Sequence, residues 1–241
     1  MGDARVTCAA VIQARYNSTR LPGKAVLPLA GQPVLAHVVE RARRIPGVDV
    51  VAVAVPDGPN QEPLAELVVT LKDVRLSRGP EADLARRYRI AAGECGATTV
   101  VRLWADCPVL DPALAGALLA AARGTGVPFA TIPLDSGYPE GVEAHVMTIE
   151  ALAAADAEAT AADERETIHL FFSRRPERFP ALHFRRQPDR HALKVLLDTP
   201  DDYRRLKQAF DILYPKNPLF GVAEVEALAA RRPELFTRPA T

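Results

Sequence analysis

The sequence predicts an α/β fold built on a mostly parallel central sheet, with helices on both faces. Three apolar runs have the length and composition of buried strands: residues 6–14, 48–55 and 98–103. Helical patterns separate or follow them: residues 34–44, 62–71 and 81–95. A chain that alternates strands and helices in this way pairs its strands in parallel and packs the helices against the sheet.

The later elements are less regular. Strands are predicted at residues 129–132, 142–149, 182–187 and 193–197. Helices are predicted from Pro112, which Asp111 caps, to about Arg123, over most of residues 151–172, and from Thr199 onwards. Because the pattern changes after about Asp135, we expect one domain over residues 1–241, with residues 135–190 as a small lobe.

Composition restricts the classes of protein to which this chain can belong. Its 241 residues are 48% apolar, enough for a full α/β core, and carry 30 basic and 30 acidic side chains. Balanced charge gives no general attraction to nucleic acid or to an acidic membrane. Cys8, Cys95 and Cys107 fit neither a disulfide framework nor a zinc site. We expect a cytoplasmic protein with small-molecule ligands and no nucleic-acid or membrane partner.

A cationic loop follows the first predicted strand. Residues 14–24 read ARYNSTRLPGK, and no acidic residue occurs between Asp3 and Glu40. Arginine guanidinium groups can bind phosphate oxygens through paired hydrogen bonds, a lysine adds a positive charge, and hydroxyl or amide groups donate further hydrogen bonds. A nucleoside triphosphate therefore fits this loop. Exposed cations in such a loop are also common without any specific role. The loop matches neither the P-loop pattern nor the G-x-G-x-x-G fingerprint.

Two aspartates are candidates for a metal site. Asp106 follows the strand at residues 98–103, and Asp198 follows the strand predicted at residues 193–197. If both strands belong to one sheet, both carboxylates reach the edge that carries the cationic loop, where open α/β sheets bind ligands. Mg²⁺ typically takes one or two carboxylates together with phosphate oxygens. The alternative for each aspartate is local turn or helix-capping chemistry.

The cationic loop and the motif Gly31-x-Pro33-Val34-Leu35 resemble the nucleotide signature of the cytidylyltransferase family. That family includes the synthetases of CMP-activated Kdo and sialic acids, and the resemblance is greatest to its spore-coat polysaccharide protein F group. Further matches follow in order along the chain: Arg78-Gly79, Asp83-Leu84, Arg87-Tyr88, Val101-Arg102, Asp106-Cys107-Pro108, Asp111-Pro112 and residues 197–203. The resemblance implies a Rossmann-like nucleotide-diphospho-sugar transferase fold, in which residues 135–190 bind the acceptor and help to form a homodimer.

The resemblance also implies a reaction, namely transfer of CMP from CTP to an acidic acceptor with release of pyrophosphate. The acceptor attacks the α-phosphorus in line, and the enzyme positions the reactants and neutralises phosphate charge. The implied catalytic residues are Lys24, Arg15, Asp106 and Asp198, of which Asp106 and Asp198 would hold Mg²⁺. The implied nucleotide contacts are Gln13, Ala14, Arg15, Asn17, Ser18, Thr19, Arg20, Lys24, Arg78 and Asp83.

The acceptor end departs from the spore-coat pattern. Pro139-Glu140-Gly141 replaces Pro-Asp-Gly, and residues 165–169 read Arg-Glu-Thr-Ile-His where that group has Arg-Glu-His-Val-Thr. We assign acceptor contacts to Glu140, Arg165 and His169, although solvent-facing helix or turn residues are the alternative. The acceptor is then a 2-keto-3-deoxy sugar acid or a small phosphonate.

Two other functions are compatible with the same motifs. A glycosyltransferase of this broad fold typically carries a D-x-D metal motif, and Asp106-Cys107-Pro108 lacks the second aspartate. A non-catalytic module could keep the nucleotide loop while its acceptor site has changed. Binding of CTP without turnover of any acid would indicate the module.

Overall fold

A computed structural model describes residues 7–237. Its strands are β1 Cys8–Gln13, β2 Pro28–Leu29, β3 Gln32–Pro33, β4 Val50–Pro56, β5 Arg75–Gly79, β6 Thr99–Trp104, β7 Phe129–Thr131, β8 His145–Thr148 and β9 Ala181–His183. Its α-helices are α1 Val34–Ala42, α2 Glu62–Thr70, α3 Leu84–Glu94, α4 Pro112–Thr125, α5 Ile149–Glu158, α6 Ala162–Glu166, α7 His169–Ser173, α8 Pro200–Leu213 and α9 Val222–Ala229. Short 3-10 turns lie at Lys24–Val26, Pro59–Gln61 and Pro233–Leu235.

Within the described range the main sheet has seven strands in the order β5-β4-β1-β6-β8-β7-β9. The pairs β4–β5, β1–β4 and β1–β6 are parallel, whereas β8 runs antiparallel between β6 and β7. The prediction of a mostly parallel sheet is therefore confirmed. The lobe predicted at residues 135–190 contributes β8 and β9 to this sheet and also contains α5, α6 and α7.

Both faces of the sheet are covered, which explains why its central strands are continuously apolar. Alternate residues of β1 enter different cores, with Ile12 packed on the side of α1, α2 and α4 and Val11 on the side of α3, α5 and α7. A third core lies around α8 and α9. No helix in residues 7–237 combines the length and the apolar character needed to cross a membrane.

The helix caps follow the sequence expectations. Asp111 Oδ1 accepts hydrogen bonds from the backbone N–H groups of Ala113 and Leu114 at the start of α4. Thr199 and Asp202 form a reciprocal capping box at the start of α8. The first strand was expected to begin at Val6, which lies outside the described residues.

Several predicted elements are shorter than expected. The strands predicted at 142–149 and 182–187 reduce to β8 and β9, and the helical region 151–172 divides into α5, α6 and α7. The helical region divides because the backbone adopts an extended conformation at Ala159 and is again non-helical at Thr167.

The strand predicted at residues 193–197 is wrong. This segment forms an isolated parallel bridge between Lys194 and Glu140, and its hydrogen bonds go to loops rather than to a neighbouring strand. Leu193 O accepts from Glu140 N at 2.8 Å, and Leu197 N donates to Asp106 O at 2.9 Å. The apolar residues of this segment are buried, so their pattern resembles that of a strand although the segment pairs with no strand in the described part of the chain.

Replacing Gly141 with alanine should destabilise the fold strongly. Gly141 has a φ of +111°, and a Cβ there would lie 2.5 Å from Leu196 N and 2.7 Å from the carbonyl carbon of Val195. The variant would therefore combine backbone strain with a clash, and we expect the free energy of unfolding to fall by about 3 kcal/mol. Urea unfolding of the wild type and the variant would measure this difference in the free energy of unfolding.

Gly96 provides the matched control for this substitution. It has a φ of +61°, and no heavy atom lies within 4 Å of the position that an alanine Cβ would occupy. Gly96→Ala should therefore lower the free energy of unfolding by only about 1 kcal/mol, the cost of a left-handed backbone at an alanine. Equal losses at Gly96 and Gly141 would contradict a clash at Gly141.

Candidate active site

Lys24 joins the two candidate aspartates at the carboxyl edge of the sheet. Its Nζ lies 2.5 Å from Asp106 Oδ2 and 3.3 Å from Asp198 Oδ1. Arg20 Nη2 lies 2.7 Å from Asp198 Oδ2. The Lys24 and Asp198 side chains are largely buried, whereas Arg20 extends into solvent. The structure thus brings the cationic loop and both carboxylates together.

The cationic loop is held by backbone bonds and by one buried amide. Gly23, at a φ of +70°, donates its N–H to Tyr16 O at 2.7 Å and closes the loop before the turn at Lys24. Gln61 is completely buried, and its Oε1 accepts from Tyr16 N at 2.8 Å. Its Nε2 donates to Asn17 Oδ1, also at 2.8 Å. Sequence reasoning missed Gln61, because nothing local relates it to a loop about 45 residues earlier.

Asp198 reaches the site through a helix cap rather than through a sheet strand. Asp202 Oδ2 accepts from the backbone N–H groups of Asp198 at 3.2 Å and Thr199 at 2.9 Å. The same oxygen lies 2.7 Å from Lys194 Nζ, and Arg205 Nη2 lies 2.7 Å from Asp202 Oδ1. The expected convergence with Asp106 therefore occurs, but the route inferred from a second strand was wrong.

Replacing Asp202 with asparagine should cost about 3–5 kcal/mol of stability, because it leaves the buried Lys194 ammonium without its acid partner. Urea unfolding would measure the loss. Asp201 is the matched control, since it pairs with Arg204 and Arg205 on the more exposed side of the same helix turn. Asp201→Asn should lose about 1 kcal/mol or less. A loss at Asp202 no larger than at Asp201 would show that the buried pair does not anchor this turn.

Other predicted nucleotide residues line the loop or already have protein partners. Ala14 and Ser18 are buried, whereas Arg15 and Thr19 are exposed. Gln13 Oε1 accepts from Arg102 and Tyr88. Arg78 pairs with Glu62 at 2.9 Å. Their contacts with a nucleotide stay predictions.

Asp83 and Arg165 bond to each other. Asp83 caps α3 by accepting from Arg86 N at 2.9 Å, and its other oxygen lies 2.6 Å from Arg165 Nη1. Arg165 also donates to the carbonyls of Ala159 at 2.9 Å and Asp156 at 2.8 Å. These bonds join α3, α5 and α6, so both residues have structural partners. The nucleotide role of Asp83 and the acceptor role of Arg165 stay predictions.

The remaining acceptor candidates, Glu140 and His169, lie in different parts of the fold. Glu140 forms the bridge to Lys194, in the segment that leads to Asp198. His169 packs edge-on against His145, with ring centroids 5.5 Å apart. His145 is buried and contacts Trp104 and Phe129 as well. His191 is exposed.

Glu143 is a titratable residue of this region that sequence reasoning missed. Burial raises the pKa of its carboxyl to about 7; the hydrogen bond from Gly141 N opposes this rise, and the charges of Glu140 and Asp106 add to it. Its position just after the turn at Gly141 was the available signal. The expected strand over residues 142–149 gave it an ordinary sheet position instead.

Glu143 should make the metal-free protein less stable as the pH rises from 4.5 to about 7. Over this range the folded state retains a proton that the unfolded chain has released, so the free energy of unfolding falls with rising pH. Glu143→Gln should reduce that slope, which urea unfolding at several pH values would measure. Glu66→Gln, at an exposed position of α2, should leave the slope unchanged. Equal slopes in the two variants would contradict the assignment.

The Cytidylyltransferase family model matches residues 9–217, and the chain therefore belongs to the cytidylyltransferase family, a class of nucleotidyltransferase enzymes. The 3-deoxy-manno-octulosonate cytidylyltransferase of Anaeromyxobacter sp. (strain K) is 37% identical over 172 residues. The match covers 70% of this chain and 63% of that relative, so the chain matches less than two thirds of the relative's length. The closer resemblance to the spore-coat group stays a prediction.

Solved structures share the fold. A cytidylyltransferase from Leptospira borgpetersenii serovar Hardjo-bovis (strain JB197) has a TM-score of 0.90 at 24% identity, covering 98% of this chain and 99% of that one. The CMP:2-keto-3-deoxy-manno-octonic acid synthetase, solved with CTP, has a TM-score of 0.65 at 20% identity, covering 85% and 98%. Rv0371C of Mycobacterium tuberculosis H37Rv, solved with manganese, has a TM-score of 0.62 at 18% identity, covering 85% and 100%.

Proposed function

We propose that this protein transfers CMP from CTP to an acidic acceptor and releases pyrophosphate, with Mg²⁺ as its metal. The observation that carries the proposal is the position of Lys24 between Asp106 and Asp198, beside the cationic loop. A lysine, an arginine and two carboxylates at one sheet edge can bind a triphosphate together with a divalent cation. The family membership supports the same reaction.

The two carboxylates fit Mg²⁺ as oxygen donors. Within residues 7–237 no third histidine, cysteine or acid is grouped with them to complete a protein metal centre, which suits an ion that takes its other ligands from phosphate and water. When bound, Mg²⁺ would neutralise charge on the triphosphate as the bond to pyrophosphate breaks.

The chain's own residues would bind and orient the reactants. Arg15 and Arg20 would hold phosphate oxygens, and Lys24 would turn from the aspartates towards the triphosphate to stabilise its developing charge. The acceptor oxygen would attack the α-phosphorus directly, with no covalent enzyme intermediate. A 2-keto-3-deoxy sugar acid is our first choice of acceptor, since the relative from Anaeromyxobacter bears the name of such an activity. A small phosphonate is the second.

Pyrophosphate release from each of the four nucleoside triphosphates, with Mg²⁺ and a panel of sugar acids and small phosphonates, tests the proposal. We expect release from CTP with one acid and a requirement for the cation. Tight CTP binding without release from any acid would instead indicate a nucleotide-binding module. Transfer of a sugar from a sugar nucleotide, with release of the nucleoside diphosphate or monophosphate and no pyrophosphate, would indicate a glycosyltransferase.

We also propose that residues 135–190 bind the acceptor and contribute to a homodimer. This proposal rests on the family resemblance and on the bridge from Glu140 to Lys194, in the segment that leads to Asp198. Sedimentation equilibrium of the full chain should give twice the mass of 26.1 kDa. A monomer at all concentrations tested would refute the dimer.

A further inference from the structure

Among the residues that the structure describes, Arg102 is a buried cation without an acid partner, and it lies on β6, the strand that leads to Asp106. Arg102 is only 3% exposed, and within residues 7–237 it forms no ion pair with a carboxylate. Its Nε and Nη2 donate to Gln13 Oε1 at 3.3 and 2.9 Å, and its Nη1 contacts His145 Nδ1 at 3.3 Å. A guanidinium stays charged at neutral pH, so the burial of Arg102 is costly as long as no anion accompanies it.

The neighbours of Arg102 add no negative charge. Since arginine can only donate, His145 Nδ1 must accept, which places the proton of a neutral ring on Nε2. Burial lowers the pKa of His145 well below its usual value, and the charge of Arg102 lowers it further. The guanidinium also stacks on Trp104, with Cζ 4.4 Å from the ring centroid.

A second buried arginine increases the positive charge on this side of the sheet. Arg87 is 4% exposed, and its Nη1 donates to the carbonyls of Pro80 at 3.0 Å and Glu81 at 3.3 Å. Its Nε is buried and has no hydrogen-bond partner in the described part of the chain. Burial lowers the pKa of Arg87; Tyr88 and Glu81 oppose this lowering, and the charges of Arg15 and Arg102 add to it.

This cluster lies on and beside β6, the strand that leads to Asp106. Arg102 faces His145 across the β6–β8 pair, and Trp104 ends β6 two residues before Asp106. Trp104 and His169 are half-buried, so they form the solvent side of the cluster, with His145 and Arg102 beneath them. The 3.3 Å contact between Arg102 Nη1 and His145 is long, and an incoming oxyanion can replace it.

We propose that Arg102, His145, Trp104 and His169 form the subsite that receives the acid group of the acceptor. This inference rests on the proposed function and identifies the acceptor's recognition group as an oxyanion, either a carboxylate or a phosphonate. The anion would supply the missing countercharge of Arg102, and the Trp104 and His169 rings would flank the rest of the acceptor. Arg102 would therefore determine the preference for acidic acceptors.

Calorimetric titration of the full chain, loaded with Mg²⁺ and a non-hydrolysable CTP analogue, tests this subsite. The probes are 3-deoxy-manno-octulosonate and methylphosphonate, which separate the carboxylate from the phosphonate source. Arg102→Met should weaken binding of the preferred acid about tenfold or more and change the affinity for the analogue about twofold or less. Arg102→Lys should restore part of the acid affinity, because it restores the charge.

Arg41→Met is the matched control. Arg41 is equally buried and also donates to carbonyls, those of Leu110 at 3.0 Å and Phe220 at 2.7 Å, but it lies on the other face of the sheet. Its replacement should leave both affinities within about twofold. His169→Ala, at a half-buried position, tests the same subsite if Arg102→Met does not fold, and should weaken acid binding by about threefold or more.

The outcomes separate this inference from the proposed function. If the wild-type protein releases no pyrophosphate from CTP with either acid, the proposed function fails, whereas a selective loss of acid binding in Arg102→Met still supports the subsite. Failure of both acids to bind the loaded wild-type protein at millimolar concentration overturns the subsite. Equal acid affinities in the wild type, Arg102→Met and His169→Ala overturn it as well.

Discussion

Replacing Asp106 or Asp198 with asparagine should reduce pyrophosphate release from CTP by about 10³-fold. Each substitution keeps the side-chain shape but removes one of the two charges that we propose to hold the cation. Because Asp106 follows β6 directly and Asp198 is anchored by its backbone, neither change should unfold the protein. Steady-state kinetics at saturating CTP, with circular dichroism as the folding check, would measure the effect.

Asp211→Asn is the matched control for both aspartates. Asp211 lies on the exposed side of α8 and pairs with Lys207 at 3.2 Å. Its replacement should leave turnover within about twofold of the wild type, since an exposed ion pair contributes little. Full activity in Asp106→Asn or Asp198→Asn would refute the metal assignment. If both carboxylates are essential for catalysis, a higher Mg²⁺ concentration should not restore the activity of either variant.

Replacing Lys24 with methionine should lower turnover by about 10²–10³-fold while raising KM for CTP by less than about tenfold. The reason is that the lysine charge matters most when negative charge develops on the leaving pyrophosphate. A change confined to KM would show that Lys24 binds the ground state and the transition state equally. Initial rates across CTP concentrations would distinguish the two.

The same variant should change metal binding in the absence of nucleotide. Lys24 Nζ lies within 3.3 Å of both aspartates, so it competes with any cation for their oxygens. Lys24→Met should therefore bind Mn²⁺ more tightly than the wild type, measured by titration without CTP. Lys207→Met, at an exposed lysine of α8, should change neither turnover nor Mn²⁺ affinity. Weaker Mn²⁺ binding in Lys24→Met would contradict this competition.

The site could be predicted only in part, and Asp198 shows why. Its proximity to the cationic loop was anticipated, but from a strand that does not exist. The apolar residues 193–197 are buried against the turn at Gly141 and the loop after β6, and burial on several sides gives the same sequence pattern as a buried strand. From the sequence, Asp202 could be predicted only as part of a helix cap, and not as the residue that binds the Asp198 backbone.

Arg102 illustrates a second kind of limit. In the sequence it is one polar residue within an apolar run, and nothing local shows whether an acid lies across from it. The fold places a histidine rather than an acid opposite Arg102, because β8 pairs antiparallel with β6 and brings His145 to that position. Gln61 and Glu143 are similar cases, because their partners are defined by loops that meet only in the folded chain.

Sequence patterns alone were enough to predict the parallel core of the sheet, the cationic loop, Asp106 just beyond β6, and the caps at Asp111 and Thr199. These features depend on periodicity, strand order and interactions between residues close in the chain, all of which are local. Three features of the site depend on the folded chain: Lys24 joins Asp106 to Asp198, Lys194 is paired inside the cap, and Arg102 is buried with no acid partner among residues 7–237. Charges that are 82 and 174 residues apart meet through packing, and electrostatic partners depend on distance in space, which sequence spacing does not encode.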